Sequence, residues 1–188
     1  MPKTVRLNPR EGFLSQLADH REELFGKPMH EQYAALCYRL RASDGAVEVL
    51  LVTSRETRRW IIPKGWPMKG KKPHHVAAIE AAEEAGVQGR VKKRPFGYFT
   101  YLKGLKDGRS VPCVVTVFLL AVDHLDLKFR EKNQRARTWM SCSQAAREVQ
   151  EPELRGLFFN LERKFNKVGS LKALSPINVV LRRGNQTP

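Results

Sequence analysis

The chain is poor in cysteine, in acidic residues and in long apolar runs, and each shortage excludes something. Only 3 of its 188 residues are cysteine. Cys37, Cys113 and Cys142 are widely spaced, odd in number and set in or beside apolar surroundings; they read as buried thiols of a reducing compartment rather than as a disulfide framework or a metal cluster. No apolar stretch approaches the roughly 20 residues of a membrane span, and the longest, at 111–122, is strand-like. Residues 1–6 lack the apolar core of a secretion signal, so the expectation is a cytoplasmic protein with no membrane partner. Acidic residues number 19 against 34 Lys and Arg, a formal net charge of +15. That imbalance points to a polyanionic partner, whether nucleic acid, phosphorylated metabolite or acidic surface. With 41% hydrophobic and 28% charged residues, the composition is that of a globular protein, and the length suits one well-buried domain rather than two.

Along the chain the hydrophobic period changes several times. In residues 1–30, Phe13, Leu14, Leu17, Leu24 and Phe25 recur at helical spacing and Gly26-Lys27-Pro28 ends the segment, which predicts an N-terminal helical extension that packs on the domain or binds a partner. A domain over 31–166 follows. Residues 33–40 and 47–53 are apolar and β-branched and flank the turn residues Ala42-Ser43-Asp44-Gly45, predicting a hairpin. A short strand at 60–62 is halted by Pro63, and a Gly-, Pro- and Lys-rich loop covers 64–72. Pro73 and Gly86 bracket an alanine-rich helix. Strands are expected at 91–101 and 111–122, joined by a turn at 103–108, and a last one at 137–140. Ser141 with Gln144 has capping-box spacing for a further helix, and Leu154, Leu157, Phe158, Leu161 and Phe165 form the apolar stripe of a final one. Residues 167–188 read as a basic C-terminal tail. Strands in runs with one helix in the middle and others at the end predict an α+β fold, an α/β/α sandwich in which helices flank a mixed sheet.

The central helix concentrates the chemistry. On a wheel of about 100° per residue, with Ala78 at zero, Ala81, Ala82 and Ala85 fall within about 60°, a stripe suited to close packing. Glu80, Glu83 and Glu84 fall at about 200°, 140° and 240°, on the other side. Carboxylates at i, i+3 and i+4 repel one another, and two of these three stand in the last turn, where the helix dipole disfavours them. They call for a cation. Hard oxygen ligands on one face suit Mg²⁺ or Mn²⁺, while the bland alternative is a solvated acidic face paired with Lys and Arg from elsewhere.

Gly65 stands fifteen residues before Glu80, and Glu80-Ala81-Ala82-Glu83-Glu84-Ala85-Gly86-Val87 follows the pattern E-U-x-E-E-x-G-U, where U is small or apolar. This resembles the signature of the Nudix hydrolases, G-x5-E-x7-R-E-U-x-E-E-x-G-U. Two positions depart from it: Lys71 stands where the pattern has Glu, and Ile79 where it has Arg. Losing an acid and a base together is what the removal of a structural ion pair would look like, with the metal-face glutamates spared. The resemblance covers about residues 32–165. Val49 to Arg55, Arg59 to Gly65, Arg135 to Trp139, Ala145-Ala146 and Glu151 to Leu154 are similar to the branch that hydrolyses diphosphoinositol polyphosphates and diadenosine polyphosphates.

The resemblance implies cleavage of a phosphoanhydride by a metal-activated water, with Glu80, Glu83 and Glu84 as metal ligands and Glu83 or Glu84 as the base. Glu131 is a downstream alternative for that base, against its reading as an exposed loop residue. His74 and His75 are assigned surface roles. Arg55, Lys64, Gly65, Lys69 and Lys71 are the expected phosphate contacts, and Lys103, Lys106 and Arg109 form a second basic loop. Such a cationic rim suits a polyphosphorylated small molecule, or alternatively an RNA 5′ end. A non-catalytic phosphate- or nucleic-acid-binding module of the same fold is a further alternative, with Lys71 and Ile79 as its only support.

Overall fold

The computed structural model describes residues 29–104 and 110–173, with side chains through 166. The expected helical extension, Lys106, Arg109 and the end of the tail lie outside the described residues. Two strands run through the middle of the sheet. β1 (His30–Leu40) and β7 (Ser110–Leu125) pair in parallel, from His30 opposite Cys113 to Tyr38 opposite Ala121. β1 turns into β2 (Val47–Thr53) as an antiparallel hairpin, Leu40 facing Val47. In its turn the Asp44 carboxylate accepts from Arg41 Nε at 2.9 Å and from the Ala46 N–H at 3.0 Å, an aspartate bonding its own backbone two residues on. β2 also pairs with β3 (Trp60–Ile61) and β8 (Arg137–Ser141).

Residues 64–72 are not wholly a loop. Lys64–Gly65 form a short strand, β4, antiparallel to β1, with Gly65 opposite Tyr33 and the Ala35 N–H donating to the Pro63 carbonyl at 3.0 Å. Nor is 91–101 one strand. The chain makes β5 (Val87–Val91) and β6 (Gly97–Gly104), both antiparallel to β7. The break falls on Lys92-Lys93-Arg94-Pro95, three cations that cannot be buried and a proline with no N–H for the ladder. The Lys92 and Phe96 N–H groups still donate to Leu119 and Val117 of β7 at 2.8 Å, so the connection stays against the sheet.

Strand alternation feeds two cores. Ala34 and Leu36 of β1, Val49 and Leu51 of β2, and Val115 and Val117 of β7 pack against α2 (Cys142–Glu148) and α3 (Pro152–Ala173), where Leu154, Phe158 and Leu161 are buried. Tyr33, Ala35 and Cys37, Leu50 and Val52, and Phe118 and Leu120 face α1 (Pro73–Ala85). Helices therefore cover both faces of a mixed sheet, the expected α/β/α sandwich. Each buried Leu or Phe in these layers contributes roughly 1.5–3 kcal/mol of transfer free energy. Cys37, Cys113 and Cys142 are buried free thiols, and burial pushes Cys113 up to about 11 and Cys142 to about 12. Ser141 caps α2, its hydroxyl accepting from the Gln144 N–H at 3.2 Å. α3 runs on to Ala173, so the first part of the expected tail is helical backbone. Among the described residues no helix is long and apolar enough to cross a membrane.

Candidate active site

α1 begins with Pro73 in its first turn and ends at Gly86, whose φ of 64° is left-handed and whose N–H reaches the Ala81 and Ala82 carbonyls. Its buried face carries Val76, Ala77, Ala81, Ala85 and also Glu84, while Ala78 and Ala82 are only half-buried. The packing stripe is thus rotated from the wheel centred on Ala78, and one carboxylate lies inside it. His74 is buried too, 8% exposed, its ring 4.2 Å from His75 and 6.2 Å from Phe118. The surface role expected for it is corrected; His75 is exposed.

The three helical glutamates meet different partners. Glu84, 5% exposed, accepts the Lys64 backbone N–H at 3.2 Å and the Arg135 guanidinium. Burial raises its carboxyl, and the Arg135 and Lys64 charges oppose that rise. Glu83 accepts from Arg130 Nη1 at 2.6 Å. Glu80 accepts no hydrogen bond from the described residues and is pushed up to about 7, chiefly by burial and then by the charges of Glu84, Glu83 and Glu131. Its carboxylate lies directly over Gly65: a Cβ built there would stand 1.9 Å from Glu80 Oε1. That is the physical reason for glycine at this point.

A fourth carboxylate joins them. Glu131 is held between Arg55, at 3.5 Å, and Arg135 Nε, at 2.5 Å, and its N–H donates to the Glu83 carbonyl at 3.0 Å. Its side chain is largely buried, which corrects its reading as an exposed loop glutamate. Arg135, itself buried, also donates to the Thr53 carbonyl at 2.8 Å. Two residues on, Arg137 caps α1 by donating to the Ala85 carbonyl, and to Asp126 O at 3.0 Å. Sequence reasoning gave neither arginine a role at the site, although their alternation at the entry to β8 sends both to the acidic end of α1.

These groups line a cavity of about 1050 Å³. Glu80, Glu83, Glu84 and Glu131 occupy one side with Arg55, Arg130 and Arg135; Arg59, Lys64, Lys103, Arg155 and Tyr101 line it as well. The loop that presents Arg55 and Arg59 is set by a left-handed Arg58 (φ 56°), whose Nη1 donates to the Gln134 carbonyl at 2.7 Å. Burial pushes the Lys64 ammonium down to about 8, opposed by the Glu84 and Glu151 charges; its nitrogen lies 5.1 Å from the Tyr101 ring centre. Trp66, 39% exposed, stands at the rim with Lys103 Nζ 5.9 Å from its ring. Of the expected phosphate contacts, Arg55, Lys64 and Gly65 line the cavity. Lys69 and Lys71 do not; both are exposed on the loop ahead of α1.

Among the described residues no three His, Cys, Asp or Glu side chains are arranged as ready metal ligands, and Glu83 and Glu84 are paired with Arg130 and Arg135. The donor set nonetheless fits a hard divalent cation. Among the described residues Glu80 has no hydrogen-bond donor, Gly65 clears the backbone beside it, and its proton affinity is raised by burial and then by three neighbouring carboxylates.

The family model described as NUDIX domain matches residues 30–161. The chain belongs to the NUDIX domain family. Mouse diphosphoinositol polyphosphate phosphohydrolase 3-alpha is 36% identical over 118 residues, 62% of this chain and 67% of that protein. The Arabidopsis thaliana protein named Nudix hydrolase 18, mitochondrial, is 29% identical over 130 residues, 64% of this chain and 69% of that one. Among solved structures, a C. elegans Ap4A hydrolase in a binary complex is superposable with a TM-score of 0.55 at 23% identity, covering 76% of this chain and 98% of that one; this likeness speaks to fold alone. Membership gives the chain its general class, a NUDIX-fold hydrolase of phosphoanhydride bonds.

Proposed function

We propose that this NUDIX protein is a Mg²⁺- or Mn²⁺-dependent hydrolase of polyphosphorylated small molecules of the diadenosine polyphosphate or inositol pyrophosphate type. The observation that carries the reading is one cavity in which four carboxylates meet a wall of Lys and Arg. Glu80, Glu83 and Glu84 would hold the cation, which when bound polarises phosphate oxygens and acidifies a water. Glu84, fixed by the Lys64 N–H and Arg135, keeps the end of α1 locked to β4 and the 130–135 segment. Glu83, the more open of the two, would take the proton of an attacking water once Arg130 turns to substrate. Arg55, Lys64 and Arg135 would bind phosphate oxygens and neutralise charge as the anhydride breaks. Lys69 and Lys71 would act on the substrate's approach.

The names of the 36%-identical relatives support an inositol pyrophosphate among the substrates. Phosphate release with Mg²⁺ is measured on diadenosine polyphosphates, inositol pyrophosphates and 5′-triphosphorylated RNA, for the wild type, Glu83→Gln and Glu84→Gln. The expected result is turnover of one of the small-molecule classes, reduced at least a hundredfold by each substitution. Turnover of the RNA end alone replaces the substrate assignment. Rates untouched by both substitutions remove the site assignment, and no turnover on any arm, with tight ligand binding, favours the non-catalytic module.

A further inference from the structure

A buried carboxylate stands next to Gln150 and Arg59 of the cavity lining without being part of that lining. Glu151, just ahead of α3, is 2% exposed, and its Oε2 is the only buried side-chain polar atom among the described residues with no hydrogen-bond partner. Leaving such an atom unpaired is a cost that folded chains ordinarily avoid. A glutamate kept here at that cost is explained by what its other oxygen holds.

Its other oxygen does have a partner. Arg59 Nη1 lies 3.0 Å from Glu151 Oε1 and donates to Gln150 Oε1 at 2.7 Å. Two consecutive residues at the α2–α3 junction thus grip one guanidinium that arrives from the β2–β3 connection. Arg59 and Lys64 both line the cavity, with Arg59 Cζ 5.9 Å and Lys64 Nζ 5.1 Å from the centre of the Tyr101 ring. Two cations beside one ring repel each other. Glu151 is the carboxylate paired with Arg59, and its field also reaches Lys64 and Tyr101. Without that charge the guanidinium keeps only a neutral amide acceptor, and the Lys64 charge favours its turning toward solvent.

We propose that Glu151 is a positioning residue: by gripping Arg59 it holds a two-cation wall, Arg59 with Lys64, that receives a substrate phosphate beyond those bound at the acidic helix. It acts through Arg59 and does not touch substrate. The inference rests on the polyphosphate reading of the cavity, and it adds a determinant of how much anionic charge the far wall accepts.

The test is a double-mutant cycle read by binding. Inorganic tripolyphosphate is titrated calorimetrically into the wild type, Glu151→Gln, Glu151→Asp, Arg59→Gln and the Glu151→Gln/Arg59→Gln double variant, with folding followed by circular dichroism. Glu151→Gln and Arg59→Gln are each expected to weaken binding about tenfold, the double variant no further than either, with Glu151→Asp recovering part of the loss. In turnover, KM for the best substrate rises by the same factor while kcat stays within about threefold. Additive losses, or a Kd unchanged in Glu151→Gln, overturn the proposal, as does failure of the wild type to bind tripolyphosphate. Should Glu151→Gln not fold, Glu151→Asp against Arg59→Gln carries the cycle, and independence of those two overturns it equally. A cycle that behaves as expected in a protein that turns over none of the polyphosphates would count against the hydrolase reading and leave this wall intact.

Discussion

His74 shows how far a single titratable side chain departs from its sequence context. It sits in the first turn of a helix among Lys71, Lys72 and His75, where a histidine would ordinarily be solvated. Instead it packs against Phe118, and burial, followed by the charges of His75, Lys72 and Lys93, lowers its proton affinity. A base with a depressed folded-state pKa takes up protons more readily in the unfolded chain. Its contribution to stability is therefore present above the unfolded value of about 6.5 and lost as pH falls below it. His74→Leu removes that linkage. In denaturant titrations between pH 7.5 and pH 5, run with chelator present, the wild type is expected to lose more stability than His74→Leu; parallel losses would place the acid sensitivity elsewhere. The acidic residues of the site illustrate the converse. Glu80, Glu83 and Glu84 were legible as a set because like charges at i, i+3 and i+4 are costly, but their partners were not. Arg130 and Arg135 reach them across 47 and 51 residues of sequence, and no local pattern encodes such a pairing.

At the scale of elements, two glycines at the two ends of the box do different work, and substituting them separates fold from function. Gly86 ends α1 at φ 64°, and a Cβ there would meet Arg137 Nη1 and Phe129 Cδ1 at 2.8 Å and the Asp126 carbonyl at 2.9 Å. Gly86→Ala adds left-handed strain to contact with backbone, a cost of about 2 kcal/mol, or some 4–8 °C in Tm. Gly65 has no such φ; the nearest atoms its added Cβ would meet all belong to the Glu80 carboxylate, the end of a flexible side chain. Gly65→Ala is expected to leave Tm within about 2 °C while lowering turnover at least tenfold, since Glu80 must leave its place. Thermal melts and kcat/KM on the same preparations decide it: a large fall in Tm for Gly65→Ala would make this glycine structural. The elements that the sequence announced are those with strong local signals, namely the Asp44 and Gly45 turn, the Ser141 cap, and the alanine-rich helix between Pro73 and Gly86. The two that it hid have weak ones. β4 is two residues long and exists because Tyr33 and Ala34 of β1 offer it an edge, a tertiary fact with no counterpart in propensity. The division of β5 from β6 is written locally in Lys92-Lys93-Arg94-Pro95, while the pairing of both pieces with one long β7 is tertiary.

Over the whole molecule, the +15 charge and the four-carboxylate cluster are opposite parts of one field. Arg55, Arg59 and Lys64 line the cavity and, on the proposed function, would contact a bound polyphosphate, whereas Lys69 and Lys71 stand outside it on the exposed loop. Screening treats the two groups differently. With a Debye length near 10 Å at 0.1 M salt, exposed and distant charges lose their influence first, and partly buried contacts keep most of theirs. Lys69→Ala/Lys71→Ala is therefore expected to raise KM by about three- to fivefold at about 0.05 M salt and to have almost no effect at about 0.3 M, with kcat unchanged at both. Arg55→Ala should raise KM at both ionic strengths, because its loss removes a phosphate contact rather than a field. Should the lysine pair retain its full effect at high salt, those side chains touch substrate and the loop ahead of α1 closes over the cavity. The same series run with Lys71→Glu/Ile79→Arg tests the two departures of the box: Lys71 makes no ion pair among the described residues, so restoring the acid and base together should change turnover only a few-fold. A rise by orders of magnitude would show that Lys71 and Ile79 hold the acidic helix below its catalytic capacity.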